Sequence, residues 1–398
     1  MKVAIVVDGL QVGGIERVCL DYCKIFSHLG YEVTIFNLMP KLNELEFEVP
    51  SKCKIVHVPF STKITPERYT NLIRKNMICK FSYSLIYFIF TIFCFFYKFF
   101  CKLVYPECRA KYDFSISFSS HLNDLTFVAH HFIKAKHLIS WCHGAIYSYL
   151  LMSDGFINLY KKIKNIIVLV DDAQDEVLMY NKQLDLNVFK LYNPSFVQLR
   201  SINSEKVRQL KKKYGNFFLM VSRFQYPHKD QFTVVRAFNW LLMNHDVKGD
   251  LIFVGDGPDK KRVKELVDDL PLKIKKRIHF LGVQLDVQNY YKAAFALVHA
   301  SVAGEGLPTI MIEAMHYGLP EIVTDSKTGP REILGDNEYG LLCKTKDYKD
   351  MGQKMYSLYV NQSLYSKYQK KERERVQDFT PQKIEKKLKQ ILQEIGKN

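Results

Sequence analysis

Short aliphatic runs alternate with longer stretches whose apolar residues recur every three or four positions, and this alternation covers most of the chain. Residues 3–7 are continuously apolar and stop at Asp8-Gly9, the pattern of a parallel strand buried on both faces. Residues 16–29 carry helical spacing and halt at Gly30, a helix C-terminus signal, and 32–38 reads as a second strand. Strand, glycine turn, helix and strand in so short a span make one βαβ unit. The alternation continues with strands at 114–118, 138–141 and 166–170, the last followed by a helix at 172–180.

A strand end then runs into Asn193-Pro194, where proline forces an extended predecessor. After a polar, very basic stretch at 201–214 the alternation starts afresh. Strands are expected at 217–221, 251–254, 278–280, 296–299 and 321–324, with helices between them. The reading is therefore two doubly wound α/β domains, 1–195 and 196–380. An amphipathic helix opens the remaining 381–398 and is free to pack back on the first domain.

One segment breaks the pattern. Residues 81–97 carry no charge and are crowded with Phe, Tyr and Ile. From Lys52 to Lys111 there are eleven Lys and Arg but only two acids, Glu67 and Glu107. Seventeen uncharged residues lie at the bottom of the range for a spanning helix. Aromatic residues between basic flanks suit a helix lying among lipid headgroups, so 74–111 is expected to face an anionic membrane surface. A core helix with an aromatic outer edge is the alternative, and a true span the third option.

The whole chain has a formal charge of +16, which favours an anionic partner without naming it. Nine cysteines are spread singly with no CxxC pair, as expected of reduced, mostly buried thiols in a cytosolic protein. The start, MKVAIVVDGLQVGG, reads as strand and turn rather than a signal peptide. No nucleic-acid module is recognisable, so the charge is assigned to other anions.

Three groups of residues carry chemistry. Gly304-Glu305-Gly306-Leu307-Pro308-Thr309 follows a strand and opens a helix that holds Glu313, with Pro308 expected in the first turn. Amide groups over Gly306, Leu307, Pro308 and Thr309 offer a seat for phosphate; Glu305 and Glu313 would reach different parts of an extended ligand. Arg223 follows another strand, and Lys229 is expected to open the next helix six residues on. Both cations can meet a phosphate at the C-terminal edge of the sheet, where open α/β folds place ligands. Gly13-Gly14, in the first βα turn, is a weaker signal, since such a turn also serves simple packing.

On GGIERV, VSRFQYPHKDQFTVVRAF, VGDGP, HFLG, EGLPTIMIEAMHYGLP, TGPREIL and GLL, in that order, the sequence resembles the retaining family-four glycosyltransferases. These have the GT-B architecture, two Rossmann-like domains facing across a cleft. The resemblance implies Arg223 and Lys229 on the donor pyrophosphate, Glu305 against the transferred sugar and Glu313 against the ribose. It implies Gly14 near the β-phosphate or acceptor, and His143, in SWCHG, near the sugar; a structural histidine is the alternative there. One departure is Glu321, an acid where relatives carry an apolar residue: an exposed strand end or a local partner would account for it.

The function so implied is transfer of a hexose or N-acetylhexosamine from a nucleotide diphosphate sugar to a glycan or lipid-linked acceptor. UDP is the expected nucleotide, and surface-glycan assembly, lipopolysaccharide or capsule, the setting. The leaving phosphate itself would deprotonate the acceptor. No resident cofactor is expected, and no metal, because neither domain shows the Asp-x-Asp motif of metal-dependent transferases. The expected location is the cytoplasm, peripheral to the inner membrane face. A sugar-nucleotide epimerase of the same plan and a non-catalytic membrane adaptor are the rivals.

Overall fold

The structure is a computed structural model, and it describes residues 1–119, 121–144, 154–180, 185–196 and 201–397. The chain divides into two units, Met1–Pro194 with Ile384–Asn398, and Ser195–Lys383.

In the first unit the described strands form one parallel sheet in the order β3-β2-β1-β4-β5-β6-β7. They are β1 Lys2–Val7, β2 Glu32–Asn37, β3 Lys54–His57, β4 Lys111–Ser117, β5 Lys134–Cys142, β6 Asn165–Val168 and β7 Asn187–Lys190. Central β1 is sealed on both faces, with Val3, Ala4, Ile5 and Val6 fully buried, which is why it reads as an unbroken apolar run. Helix α1, Gly14–His28, buries Val18, Leu20, Tyr22, Ile25 and Phe26. It stops before Gly30, whose φ of +82° is a left-handed conformation that side chains avoid. The edge strand β3 escapes a sequence reading because only Ile55 and Val56 are apolar in it. The helix Pro381–Ile395 belongs to this unit from Ile384 onward, burying Ile384, Leu388, Ile391 and Leu392.

The second unit repeats the plan with the order β10-β9-β8-β11-β12-β13, again parallel throughout. Its strands are β8 Phe218–Val221, β9 Leu251–Val254, β10 Ile278–Phe280, β11 Ala296–His299, β12 Glu321–Thr324 and β13 Leu341–Cys343. Each sheet has one place where the winding reverses: between β1 and β4 in the first unit, and between β8 and β11 in the second. Connections leave that point in opposite directions, which opens a crevice at the C-terminal ends of the two strands.

Two expectations change here. The apolar segment is the middle of a longer helix, α2, Met77–Val104, and it is not a core helix: its most apolar eighteen-residue window has mean hydropathy 1.9 and is only 11% buried. By length and composition this helix is long and apolar enough to cross a membrane. The side chain of Arg74, counted among the basic flanks, lies outside the described residues. Glu321 is not at an exposed strand end. It is fully buried, as is Glu372 on the helix Gln362–Arg375, and the Glu321 carboxyl has no hydrogen-bond partner among the described residues. Burial pushes both well above the ordinary carboxylate range, and the neighbouring Glu321 charge raises Glu372 further. All nine cysteines are free, and all but Cys53 and Cys79 are buried.

Candidate functional site

The second unit gathers its polar side chains at the β8/β11 crevice. Past β8 the chain makes a turn held from several sides. Gln231 donates to the Arg223 carbonyl at 3.0 Å, the Val302 and Ala303 amides donate to the Pro227 carbonyl, and the Asp230 amide donates to Ala300 at 2.8 Å. Asp230 then caps the helix Gln231–Asn244 by accepting from the Thr233 amide at 3.1 Å. Lys229 therefore sits in the turn before the cap and does not open the helix. Arg223 is exposed and Lys229 is partly buried.

Beyond β11 the chain reaches Glu305, whose backbone is clamped by the TGP segment. The Glu305 amide donates to the Lys327 carbonyl at 2.7 Å, and the Thr328 and Gly329 amides return to the Glu305 carbonyl, each at 3.0 Å. Gly329 is glycine for a steric reason: a Cβ there would lie 1.9 Å from the Gly306 carbonyl oxygen. Pro308 is the N-cap of the helix Thr309–Met315 rather than a first-turn residue. Leu307 and Pro308 are buried; Gly306 and Thr309 are half-buried.

This brings Glu305 onto two partners. Its carboxylate pairs with the Lys229 ammonium and accepts a 3.0 Å hydrogen bond from His299 Nε2. His299, the last residue of β11, is fully buried; Lys229 Nζ lies 3.5 Å from its Nε2, and its Nδ1 has no partner. Burial pushes the Glu305 carboxyl up, but His299 and Lys229 overcome that and hold it at about 2. Burial lowers the His299 pKa, so near neutral pH the ring is uncharged and serves Glu305 as a donor while Lys229 supplies the charge. Nothing in the sequence singles out His299, a histidine closing a strand six residues before Glu305. Glu313, half-buried farther along, accepts from the buried Tyr291 hydroxyl at 3.0 Å.

The β1/β4 crevice of the first unit is built from other chemistry. Asp8, just past β1, accepts from Asn123 Nδ2 at 3.1 Å and lies 3.5 Å from His121 Nδ1. Its Oδ1 is shielded and unpartnered. Beneath them Asp124 is fully buried, accepting from Ser117 Oγ and the Ser119 amide, both at 2.8 Å. Burial first, then the Asp8 charge, pushes Asp124 up to about 7. Gly13 and Gly14 close the β1–α1 turn, and a Cβ on Gly14 would meet nothing within 4 Å, so packing does not account for that glycine. His143, one residue past β5, packs 4.9 Å from Phe118, and its Nε2 is shielded and has no partner among the described residues. Burial takes it down to about 3, outweighing a hydrogen bond to the Phe118 backbone, so the ring is neutral and Nε2 is an idle acceptor.

Residues 201–375 match the family model for glycosyl transferases group 1. That stretch, less than half of the chain, is similar to the group 1 glycosyl transferases. An uncharacterized glycosyltransferase of Methanocaldococcus jannaschii is 31% identical over 181 residues, 44% of this chain and 43% of that protein. The Campylobacter jejuni N-acetylgalactosamine-N,N'-diacetylbacillosaminyl-diphospho-undecaprenol 4-alpha-N-acetylgalactosaminyltransferase is 28% identical over 194 residues, 49% of this chain and 50% of that enzyme. The matched stretches thus span half or less of these relatives' length. The crystal structure of Anabaena HepE in complex with UDP and glucose superposes over 99% of this chain and 100% of its own, with TM-score 0.74 at 16% identity. That likeness shows the shared fold, GT-B with two Rossmann-like units.

Within the second unit, the structure joins Lys229 directly to Glu305 and gives Glu313 a separate partner, Tyr291. Arg223 is exposed and makes no ion pair among the described residues, whereas the Lys229 ammonium is neutralised by Glu305. His143, Gly13 and Gly14 all fall in the other unit.

Proposed function

We propose that the protein is a retaining glycosyltransferase that moves a hexose or N-acetylhexosamine from a UDP-sugar to a glycan or lipid-linked acceptor in surface-glycan assembly. The observation that carries this reading is the Lys229–Glu305–His299 constellation at the reversal point of the second unit, with Arg223 exposed in the turn that follows β8. The match of 201–375 to the group 1 model and the undecaprenol-linked substrate named for the Campylobacter jejuni relative support the class; UDP in the HepE crystal supports the nucleotide.

In this reading Arg223 and Lys229 take up the charge that develops on the departing diphosphate, with the Leu307 and Thr309 amides assisting. Glu305 accepts from sugar hydroxyls and Glu313 from the ribose. The phosphate leaving group receives the acceptor's proton on the same face. The first unit takes the acceptor, with the open space over Gly14 available to an approaching group and His143 Nε2 available to a sugar hydroxyl. The enzyme works at the inner membrane face. Cations do the work of a metal, so activity is expected to survive EDTA; loss restored by manganese would contradict this. The direct test incubates purified protein with UDP-glucose, UDP-galactose and their N-acetylamino forms, scoring hydrolysis and thermal stabilisation. At least one should be hydrolysed without acceptor; inertness toward every nucleotide sugar would overturn the reading.

A further inference from the structure

We propose that α2 is an in-plane membrane helix: it lies along an anionic bilayer surface with one face fixed to the first unit and the opposite face sunk among acyl chains. This deepens the location assigned above and rests on that reading only for the side of the membrane. The argument is the distribution of residues around the helix. At 3.6 residues per turn, Tyr83, Ile86, Phe90, Cys94, Tyr97 and Cys101 fall on one line. That line faces protein. Cys94 and Cys101 are buried, Phe90 packs 5.4 Å from Tyr69, and Tyr97 lies 6.3 Å from Phe60 and 6.2 Å from Phe132. The Tyr97 hydroxyl donates to the Pro59 carbonyl, and Lys98 Nζ to His130 at 2.8 Å.

The opposite line is Phe81, Leu85, Phe88, Ile92, Phe99 and Leu103, at 78, 57, 64, 43, 64 and 64% exposure. It contains no polar residue, and Phe95, Phe96 and Phe100 beside it are exposed as well. Burying so many large apolar side chains in lipid is a strong, salt-independent driving force. Between the two lines runs an edge of Lys80, Ser84, Thr91, Lys98 and Lys102, at the level where headgroups meet the protein.

Charge complementarity selects the partner. Lys75, Lys80, Arg109 and Lys111 are exposed around the helix, while the nearby acids are already engaged, Glu67 with His130 at 2.7 Å and Glu107 with Lys54. The surface offers cations with no free carboxylate among them, which matches anionic lipid rather than another basic copy of this chain. Docking also decides the orientation. A helix of 28 residues is about 42 Å long. It could reach across a bilayer only by abandoning the contacts that hold it from Phe90 to Cys101.

The test uses the full-length protein with vesicles of phosphatidylcholine alone or mixed with phosphatidylglycerol, and a tryptophan placed in turn by Phe81→Trp, Phe88→Trp and Phe99→Trp. Binding should require phosphatidylglycerol, and lipids brominated at successive acyl depths should quench all three at one shallow depth. K80E/K102E should weaken binding by about tenfold or more, since each lysine near the surface contributes several-fold. Ser at Phe95, Phe96, Phe99 and Phe100 together should abolish binding, while UDP-sugar stabilisation of the other unit persists and confirms folding. Graded depths along the helix would establish a span and overturn the proposal. So would indifference to phosphatidylglycerol, or a lipid-free dimer dispersed by the Ser substitutions. Failure of the nucleotide panel would count against the assigned reaction and leave these readouts intact.

Discussion

The two units share a topology but put opposite chemistry at the same place. Between β8 and β11 the crevice holds Arg223, Lys229, a neutral His299 and one carboxylate, Glu305, already matched to a lysine. Between β1 and β4 it holds Asp8, Asp124 and a half-exposed His121, with no lysine or arginine among the contacts described. The first arrangement suits a diphosphate and the second suits hydroxyls. A Rossmann-like sheet fixes where ligands go, and the residues that end the two central strands decide which ligands those are.

The largest effect should come from removing a cation of the second crevice. Lys229→Ala and Arg223→Ala are each expected to lower turnover by about two orders of magnitude, the scale of one preorganised charge contact. Steady-state rates with the donor found by hydrolysis check this. Normal turnover in both variants would erase the contrast between the crevices. Lys229→Ala carries a second consequence that Arg223→Ala does not, because it leaves the Glu305 carboxylate without its cation and with only His299. Breaking such a pair costs about 3–5 kcal/mol, so thermal stability should drop for Lys229→Ala only.

Next comes the first crevice. Asp124, pushed up to about 7 by burial, binds more protons folded than unfolded, so its ionisation opposes folding as pH rises from about 4 toward 7. Asp124→Asn should flatten that part of the stability profile while leaving acceptor-free donor hydrolysis within about twofold, since a neutral side chain there only replaces one that is protonated at lower pH. Hydrolysis that collapses in this variant would mean the first crevice handles the donor.

The smallest effect lies away from both crevices. Glu321 and Glu372 are buried acids with raised pKa values, so the folded state loses stability as pH climbs above the unfolded carboxylate value near 4.3. Glu321→Gln should raise the melting temperature at alkaline pH, by about 1–2 kcal/mol in stability, and change little in acid. Thermal denaturation across the pH range reads this; a melting temperature lowered at every pH would show that the pair stabilises the fold as it stands.

Much of the fold was legible because fully buried parallel strands leave unbroken apolar runs: β1, β9 and β11 can be read from hydrophobicity alone. The edge strands β3 and β13 were not: β3 has only Ile55 and Val56 as apolar residues, and β13 is only Leu341–Cys343. At the site, Glu305, Lys229 and Arg223 stood out because glycine, proline and charge cluster around them. His299 did not, because the sequence does not reveal that β11 ends beside the turn after β8. The Glu321–Glu372 pair was half visible: the odd acid was plain, but its partner is distant in sequence and meets it only when the helix Gln362–Arg375 packs. The length of α2 was underestimated because Lys80, Lys98 and Lys102 interrupt the apolar run without interrupting the helix.

The central claim is that Lys229, held by Glu305 before any ligand arrives, is the cation that meets the diphosphate. It is tested by calorimetric titration of UDP into the wild type, Lys229→Ala and Glu305→Gln. The two substitutions should act with opposite sign. Lys229→Ala should weaken UDP by about tenfold or more, from the loss of a charge-assisted contact. Glu305→Gln should tighten UDP several-fold because the lysine no longer has a carboxylate to leave, even as turnover falls. Equal UDP affinity in all three proteins would contradict it and place the diphosphate elsewhere.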